Sequence, residues 1–163
     1  MSHTNHTHDA LQPHAHDPNP APPSADPDFM LSLPDGTDIS ITVSDLQQLP
    51  KITLTNCYIV STGHGTSGPF TFTGVTLLTF IEHYLPPNTA WSQAEVISAD
   101  GFGNRVFAEE LFTPDPAGPM LLSYQLDGMM MTREQGLVRL IVRSEKDDAL
   151  RQVKWVGRIS IKP

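Results

Sequence analysis

Residues 1–17 form a histidine-rich tract that also carries Asp9 and Asp17, and they contain five of the seven histidines of the chain. Neutral imidazole binds zinc, nickel and copper, and a flexible tract can wrap a metal ion without a preformed site. The tract predicts metal binding of low specificity, and a passive solubilising tail is the competing interpretation. The candidate ligands are His3, His6, His8, His14 and His16.

A polar turn, Ser61-Thr62-Gly63-His64, follows a β-branched apolar run and opens a stretch with three glycines in nine residues. Backbone N–H groups in such a turn can form a concave nest that binds an anion. An ordinary connection with His64 at the surface is the alternative. The residues alone leave both interpretations open.

Sulfur-bearing residues offer two further candidates. Cys57 lies inside the apolar run Ile52 to Val60, where a free cysteine is normally inert packing, and its sequence neighbours include no base. Met129-Met130-Met131 follows the turn Asp127-Gly128, and we expect it to lead into the core rather than bind a soft metal. Phosphate-loop, dinucleotide, Gly-x-Ser-x-Gly and HExxH motifs are absent.

The length of 163 residues suits one domain with a single core, and its net charge of −8 is unevenly spread. Residues 1–28 carry −4, residues 29–132 carry −8 and residues 133–163 carry +4. An acidic chain is a poor nucleic-acid binder, although the basic end can hold a small anion. The chain has one cysteine, no secretory signal and no apolar run long enough to span a membrane, so the cytoplasm is the expected location.

The chain divides into a tail and one domain of short elements. Residues 1–28 hold six prolines and almost no large apolar residue, so we expect them to be disordered. Residues 29–163 predict an α+β domain, mostly β, with mixed sheets and a few short helices. The expected elements are a hairpin around Asp35-Gly36, a short helix capped by Ser44, a strand from Ile52 to Val60, a helix over 76–85, a hairpin around Asp100-Gly101, a short helix over 108–112, strands over 121–126 and 138–143, and a final strand over 152–161.

Four segments of this domain resemble oxidoreductase molybdopterin-binding domains of the sulfite-oxidase type. They are TVSDLQQLPKITLT, FTGVTLLTFIEHYL, ISADGFGNRVFAEELF, and the stretch from SYQLDG through GLVRLIV to the ending VKWVGRISI. The resemblance covers roughly residues 29–162, and it implies a pterin cofactor whose molybdenum is ligated by a cysteine thiolate.

The resemblance also implies a set of site residues. The ligand position falls on Ser61, with Thr62, Gly63 and His64 beside it, while Arg151 and Lys154 stand where relatives contact the cofactor. The sequence departs from the family in two places: Ser61 replaces the cysteine, and no glycine occurs between Arg143 and Trp155. Cys57 lies four residues before Ser61, about 13 Å away along a strand.

Two functions follow from the resemblance and its departures. The first is a molybdopterin-binding oxidoreductase domain that performs two-electron redox chemistry. The second is a non-catalytic member that lost the metal and acts as a binding or interaction module, with the histidine-rich tail as a metal-binding segment. The implied ligand is a pterin or another small anion, and the sequence does not identify a protein partner.

Overall fold

The computed structural model describes residues 26–61, 65–143 and 152–163, which form two β-sheets and three short helices. The α+β architecture, mostly strands in mixed sheets, is confirmed. The elements of these residues are β1 (Phe29–Ser32), β2 (Asp38–Ile41), α1 (Val43–Gln47), β3 (Ile52–Ser61), β4 (Gly65–Thr76), α2 (Leu77–Tyr84), β5 (Gln93–Ser98), β6 (Gly103–Phe107), α3 (Ala108–Phe112), β7 (Leu121–Leu126), β8 (Met129–Met130), β9 (Arg139–Ile141) and β10 (Val156–Lys162).

The first sheet has the order β2-β1-β10-β5-β6, with β1 and β10 parallel and the other pairs antiparallel. The predicted hairpin around Asp35-Gly36 joins β1 to β2. Gly36 has φ +91° and donates its N–H to Leu33 O at 2.9 Å. The parallel contact of β1 with β10 therefore joins the beginning of the domain to its end.

The second sheet has the order β3-β4-β7-β8, and β9 also pairs with β7. Strand β3 is irregular, because Asn56 has φ +54° and the register with β4 shifts on both sides of Cys57. Strand β9 lies within the strand predicted over 138–143, and all three of its residues are buried. This sheet carries Arg139, on β9, which belongs to the candidate site described below.

Two apolar clusters lie on opposite faces of the second sheet, since side chains alternate along a strand. The large cluster combines both sheets with α1 and α2, and Leu122 and Leu140 belong to it. The small cluster contains Cys57, Phe72 and Ile141. Within β9, Arg139 shares the face of Ile141, so a cationic side chain lies against the small cluster.

The helices match the predicted positions, with one correction. Thr42, not Ser44, caps α1: its side chain accepts the N–H of Asp45 at 3.1 Å, and the Asp45 carboxylate accepts the N–H of Thr42 at 2.8 Å. Such a reciprocal pair satisfies two N–H groups that the first turn leaves unbonded. Helix α2 follows the apolar periodicity, with Leu77 and Ile81 buried.

The predicted final strand over 152–161 was wrong at its beginning. β10 begins at Val156, and Trp155 before it has φ +49°, in the left-handed region. Val153 instead forms an isolated bridge with Leu140. The backbone thus turns sharply between Val153 and Val156, which redirects the side chain of Lys154.

In the described residues no helix is long and apolar enough to cross a membrane.

Candidate anion site

Arg139 is a buried cation on β9, with only 7% of its surface exposed. Its guanidinium lies 5.3 Å from the centre of the Phe72 ring, and Nη1 donates to Gln135 O at 3.3 Å. Among the described residues, Nε has no hydrogen-bond partner. Burial lowers the pKa of Arg139 to about 10, because the charged form loses its hydration. A buried cationic nitrogen that lacks a hydrogen-bond partner among the described residues is costly, so this side chain is suited to an anion.

Lys154 is the second cation of the site, half-buried in the bend before β10. Its Nζ lies 4.7 Å from the centre of the Trp155 ring. Burial lowers the pKa of Lys154, the positive charge of Arg139 lowers it further, and the carboxylate of Asp100 acts in the opposite direction. The ammonium and the guanidinium are therefore close enough to repel each other.

Gly136 lies beside both cations, and the antiparallel bridge between Leu140 and Val153 places Gln152 opposite Ile141, on the face of β9 that carries Arg139. A Cβ atom at Gly136 would lie 2.9 Å from Arg139 Cγ and 3.3 Å from Lys154 Cβ. Gln152 is 7% exposed, and its Oε1 has no hydrogen-bond partner among the described residues. The cluster thus combines two cations with a buried amide oxygen, and we call Arg139, Gln152 and Lys154 the cationic cluster.

Trp155 connects the cluster to the turn over 132–136. Its indole Nε1 donates to Arg133 O at 2.7 Å, and its backbone N–H donates to Gly136 O at 2.9 Å. The next residue continues the connection, since Val156 donates its N–H to Val138 O at 3.0 Å. The segment that carries Lys154 is therefore bound to the segment that leads into Arg139.

The candidates predicted from the sequence are unevenly placed. Lys154 lies in the cluster. Ser61 pairs with Gly65, which precedes Gly74 by nine residues on β4, whereas Arg139 pairs with Ser123 in the row of Gly74. The register therefore separates the Ser61 end of β3 from the Arg139 row along the strands. The remaining candidates lie outside the described residues: Thr62, Gly63, His64, Arg151, His3, His6, His8, His14 and His16.

Arg139 and Gln152 were not among the predicted site residues. One signal in the sequence pointed to Arg139, an arginine inside the apolar run Leu137 to Val142. Arginine is almost never fully buried unless it is paired, so a strand prediction there implies a ligand or an ion pair. Gln152 carries no comparable signal, because an isolated glutamine is usually exposed.

Cys57 is buried, as expected, with 2% of its surface exposed. Its Sγ donates to Leu54 O at 3.5 Å and to Thr55 O at 3.7 Å. Burial raises the pKa of the Cys57 thiol, and the positive charge of Arg143 partly opposes this. The sequence neighbours of Cys57 include no base, as predicted, but the fold brings the distant Arg143 close enough to act on its thiol. The net result is a protonated, weakly nucleophilic thiol.

The methionine run divides between surface and core. Met129 and Met130 are 72% and 45% exposed, and only Met131 enters the small cluster. The run therefore leads from the turn into the core, as expected, but reaches it only at Met131. Consecutive strand residues point to opposite faces, so Met129 and Met130 do not converge on one metal ion. Within the described part of the chain, no group of three His, Cys, Asp or Glu residues can hold a metal.

The described residues thus form an α+β domain with a buried cationic cluster. The profile of the oxidoreductase molybdopterin-binding domain matches residues 19–163. The chain therefore belongs to the oxidoreductase molybdopterin-binding domain family. The fold is also similar to that of the sulfane dehydrogenase SoxCD from Paracoccus pantotrophus, with a TM-score of 0.61 and 22% identity, over 83% of this chain and 38% of that chain. No curated protein matches the sequence.

Proposed function

We propose that this domain binds molybdopterin through the cationic cluster. The supporting observation is the buried guanidinium of Arg139, whose Nε lacks a partner among the described residues. Lys154 lies near it, and the pKa of Lys154 is lowered by burial and further by the positive charge of Arg139. Two neighbouring cations would repel each other, and an anion between them would remove that cost. Membership of the family makes molybdopterin the natural candidate for that anion.

The three side chains of the cluster suit different parts of such a ligand. A guanidinium can form two parallel hydrogen bonds with a phosphate, and an ammonium adds a compact charge. The Oε1 atom of Gln152 can accept a hydrogen bond from an N–H group of a pterin ring. Arg139 and Lys154 would therefore hold the phosphate, and Gln152 would orient the ring system.

The metal-binding half of the cofactor is less well matched. When bound, molybdopterin supplies a molybdenum centre capable of two-electron redox chemistry. Ser61 stands at the position where relatives provide the thiolate, and serine must be deprotonated before it can ligate a metal. Cys57 does not replace it, because its thiol is buried and its pKa is raised. The protein groups proposed here bind and orient the cofactor, while Ser61, Thr62, Gly63, His64 and Arg151 stay sequence-based candidates.

A non-catalytic binding module is the second candidate function. The inert thiol at Cys57 and the serine at position 61 favour it, since neither supplies a ready thiolate. Such a module would hold a small anion in the cationic cluster without redox chemistry. The net charge of −8 disfavours nucleic acid as that anion, because phosphate backbones require many clustered cations.

The test is the cofactor content of the full chain after expression in a host that makes molybdopterin. Molybdenum is measured by mass spectrometry, and pterin by fluorescence after oxidation. We expect pterin near one equivalent per chain, and an equal amount of molybdenum would support the redox function. Pterin without molybdenum would support cofactor binding by a non-catalytic member. A folded chain with neither would overturn the cofactor proposal.

A further inference from the structure

Lys154 occupies a position that its own charge disfavours. Its ammonium is half-buried and is repelled by Arg139, and the opposing charge of Asp100 does not restore an ordinary pKa. A lysine side chain has four rotatable bonds, so it would leave such a place for water unless another contact held it. The face of the Trp155 ring, 4.7 Å from Nζ, provides that contact. The negative quadrupole of an indole attracts an ammonium, most strongly where water is excluded.

Trp155 is itself held in place by two hydrogen bonds, one from its indole ring and one from its backbone. The indole N–H donates to Arg133 O at 2.7 Å, and the backbone N–H donates to Gly136 O at 2.9 Å. Trp155 as a whole is 8% exposed. Both acceptors belong to the turn that leads into β9 and Arg139, so the ring moves only if that turn moves.

The backbone at Trp155 is also unusual, because φ is +49° at a residue with a bulky side chain. This conformation is disfavoured for residues other than glycine, asparagine and aspartate, and it persists only where the surroundings enforce it. It places the indole beside the amine of the preceding residue, an arrangement that a regular strand excludes since adjacent side chains would point to opposite faces.

We infer that Trp155 is a positioning residue that holds the Lys154 amine beside the Arg139 guanidinium, so that both cations address one anion. This inference rests on the proposed anion site. Trp155 does not touch the ligand in this account. It acts through Lys154, by the contact of its ring with the ammonium and by the two hydrogen bonds to the turn.

The competing explanation is that Trp155 only fills space. The two explanations differ in what they predict for Lys154 when the ring is removed. If Trp155 positions the amine, Trp155→Leu releases Lys154 into water, away from Arg139, and the pKa of its amine rises towards the ordinary value. If the ring only fills space, Lys154 stays where it is and its pKa stays lowered.

The experiment is an NMR titration of the lysine side chains in the full chain, which contains four lysines. Lys154→Arg assigns the Lys154 signal, and Arg139→Gln shows how large a rise follows from loss of the neighbouring charge. We expect Trp155→Leu to raise the pKa of Lys154 and to weaken binding of inorganic phosphate about fivefold, the equivalent of one cation–π contact. An unchanged Lys154 pKa in a folded Trp155→Leu protein would overturn the inference.

Trp155→Phe keeps the test decisive if the leucine variant fails to fold. Phenylalanine retains an aromatic face but loses the hydrogen bond to Arg133 O. We therefore expect a Lys154 pKa and a phosphate affinity between those of the wild type and those expected when Lys154 is released into water. Wild-type values of both quantities in Trp155→Phe, with Trp155→Leu unfolded, would contradict the inference. The titration needs no bound ligand. If the wild-type protein binds no phosphate, the proposed anion site is wrong. The lysine titration would still show whether Trp155 positions Lys154.

Discussion

The side chains of Arg139 and Lys154 both lie against Gly136, where a Cβ atom would lie 2.9 Å from Arg139 Cγ and 3.3 Å from Lys154 Cβ. Glycine at this position permits the approach of two cations, one on β9 and the other in the bend before β10. The surroundings are largely apolar, so their repulsion is screened less than it would be in water.

Replacement of Gly136 by alanine should disrupt the cluster. The residue has φ +109°, which strains any side chain, and the new methyl group would also meet Arg139 Cγ. Gly128→Ala is a matched control, since Gly128 has φ +84° and nothing within 4 Å of a Cβ atom. We expect both variants to lose about 1 kcal/mol in the free energy of unfolding through backbone strain, and Gly136→Ala to lose about 1–3 kcal/mol more through overpacking. Equal losses in urea denaturation would contradict the close approach.

Arg139→Met should separate stability from ligand binding. Methionine replaces the aliphatic stem of arginine and carries no charge, so the ligand-free variant no longer buries a cation whose Nε lacks a partner among the described residues. We expect its free energy of unfolding to stay unchanged or to rise, by up to about 1–4 kcal/mol, while phosphate binding is lost. Arg158→Gln is the control, because Arg158 is exposed and pairs with Asp38 at 3.5 Å. A marked destabilisation by Arg139→Met would mean that Arg139 has a structural anionic partner.

The Cys57 thiol should make stability depend on pH in alkaline solution. Its pKa is raised in the folded chain above the ordinary value of 9.0, chiefly by burial. Between these two values the folded state binds more protons than the unfolded state, so this contribution to stability falls as pH rises above 9.

Cys57→Ala isolates this contribution, since Lys154 has a lowered pKa and acts in the opposite direction in both proteins. We expect the stability advantage of wild type over Cys57→Ala, measured under reducing conditions, to shrink between pH 8 and pH 10. A constant difference across that range would show that the thiol is not desolvated.

The cap of α1 gives a prediction that is independent of the site. Thr42→Ala removes the acceptor for the Asp45 N–H, and we expect a loss of about 1 kcal/mol in the free energy of unfolding. Ser44→Ala should have little effect, because Thr42 rather than Ser44 is the cap. The reverse order of the two effects would favour Ser44.

The elements that the sequence predicts well are those specified by neighbouring residues. Asp35-Gly36 defines a turn, and the spacing of Leu77 and Ile81 defines the buried face of α2. The predicted cap of α1 was wrong by two residues, because Thr42 and Ser44 both carry a hydroxyl just before the apolar part of the helix. Only the reciprocal bonds of Thr42 with Asp45 distinguish them.

The site itself depends on contacts that are distant in the sequence, and this explains what was missed. Alternation of apolar residues from Val153 to Ile161 resembles one strand, and nothing local shows that Trp155 adopts a left-handed conformation. Its hydrogen bonds to Arg133 and Gly136 enforce that conformation. The positive charge of Arg143, which opposes the rise in the Cys57 pKa, also comes from a residue distant in the sequence. The segment around Cys57 therefore does not reveal it.

The most direct test of the central claim is the amount of pterin that copurifies with Arg139→Gln, compared with wild type and with Arg158→Gln, from a host that makes molybdopterin. Both variants lose one positive charge, but only Arg139 is buried in the cationic cluster. We expect the wild-type amount of pterin in Arg158→Gln and a loss of at least tenfold in Arg139→Gln, the cost of about 1.4 kcal/mol or more. Equal amounts of pterin in the two folded variants would contradict the claim that Arg139 holds the cofactor.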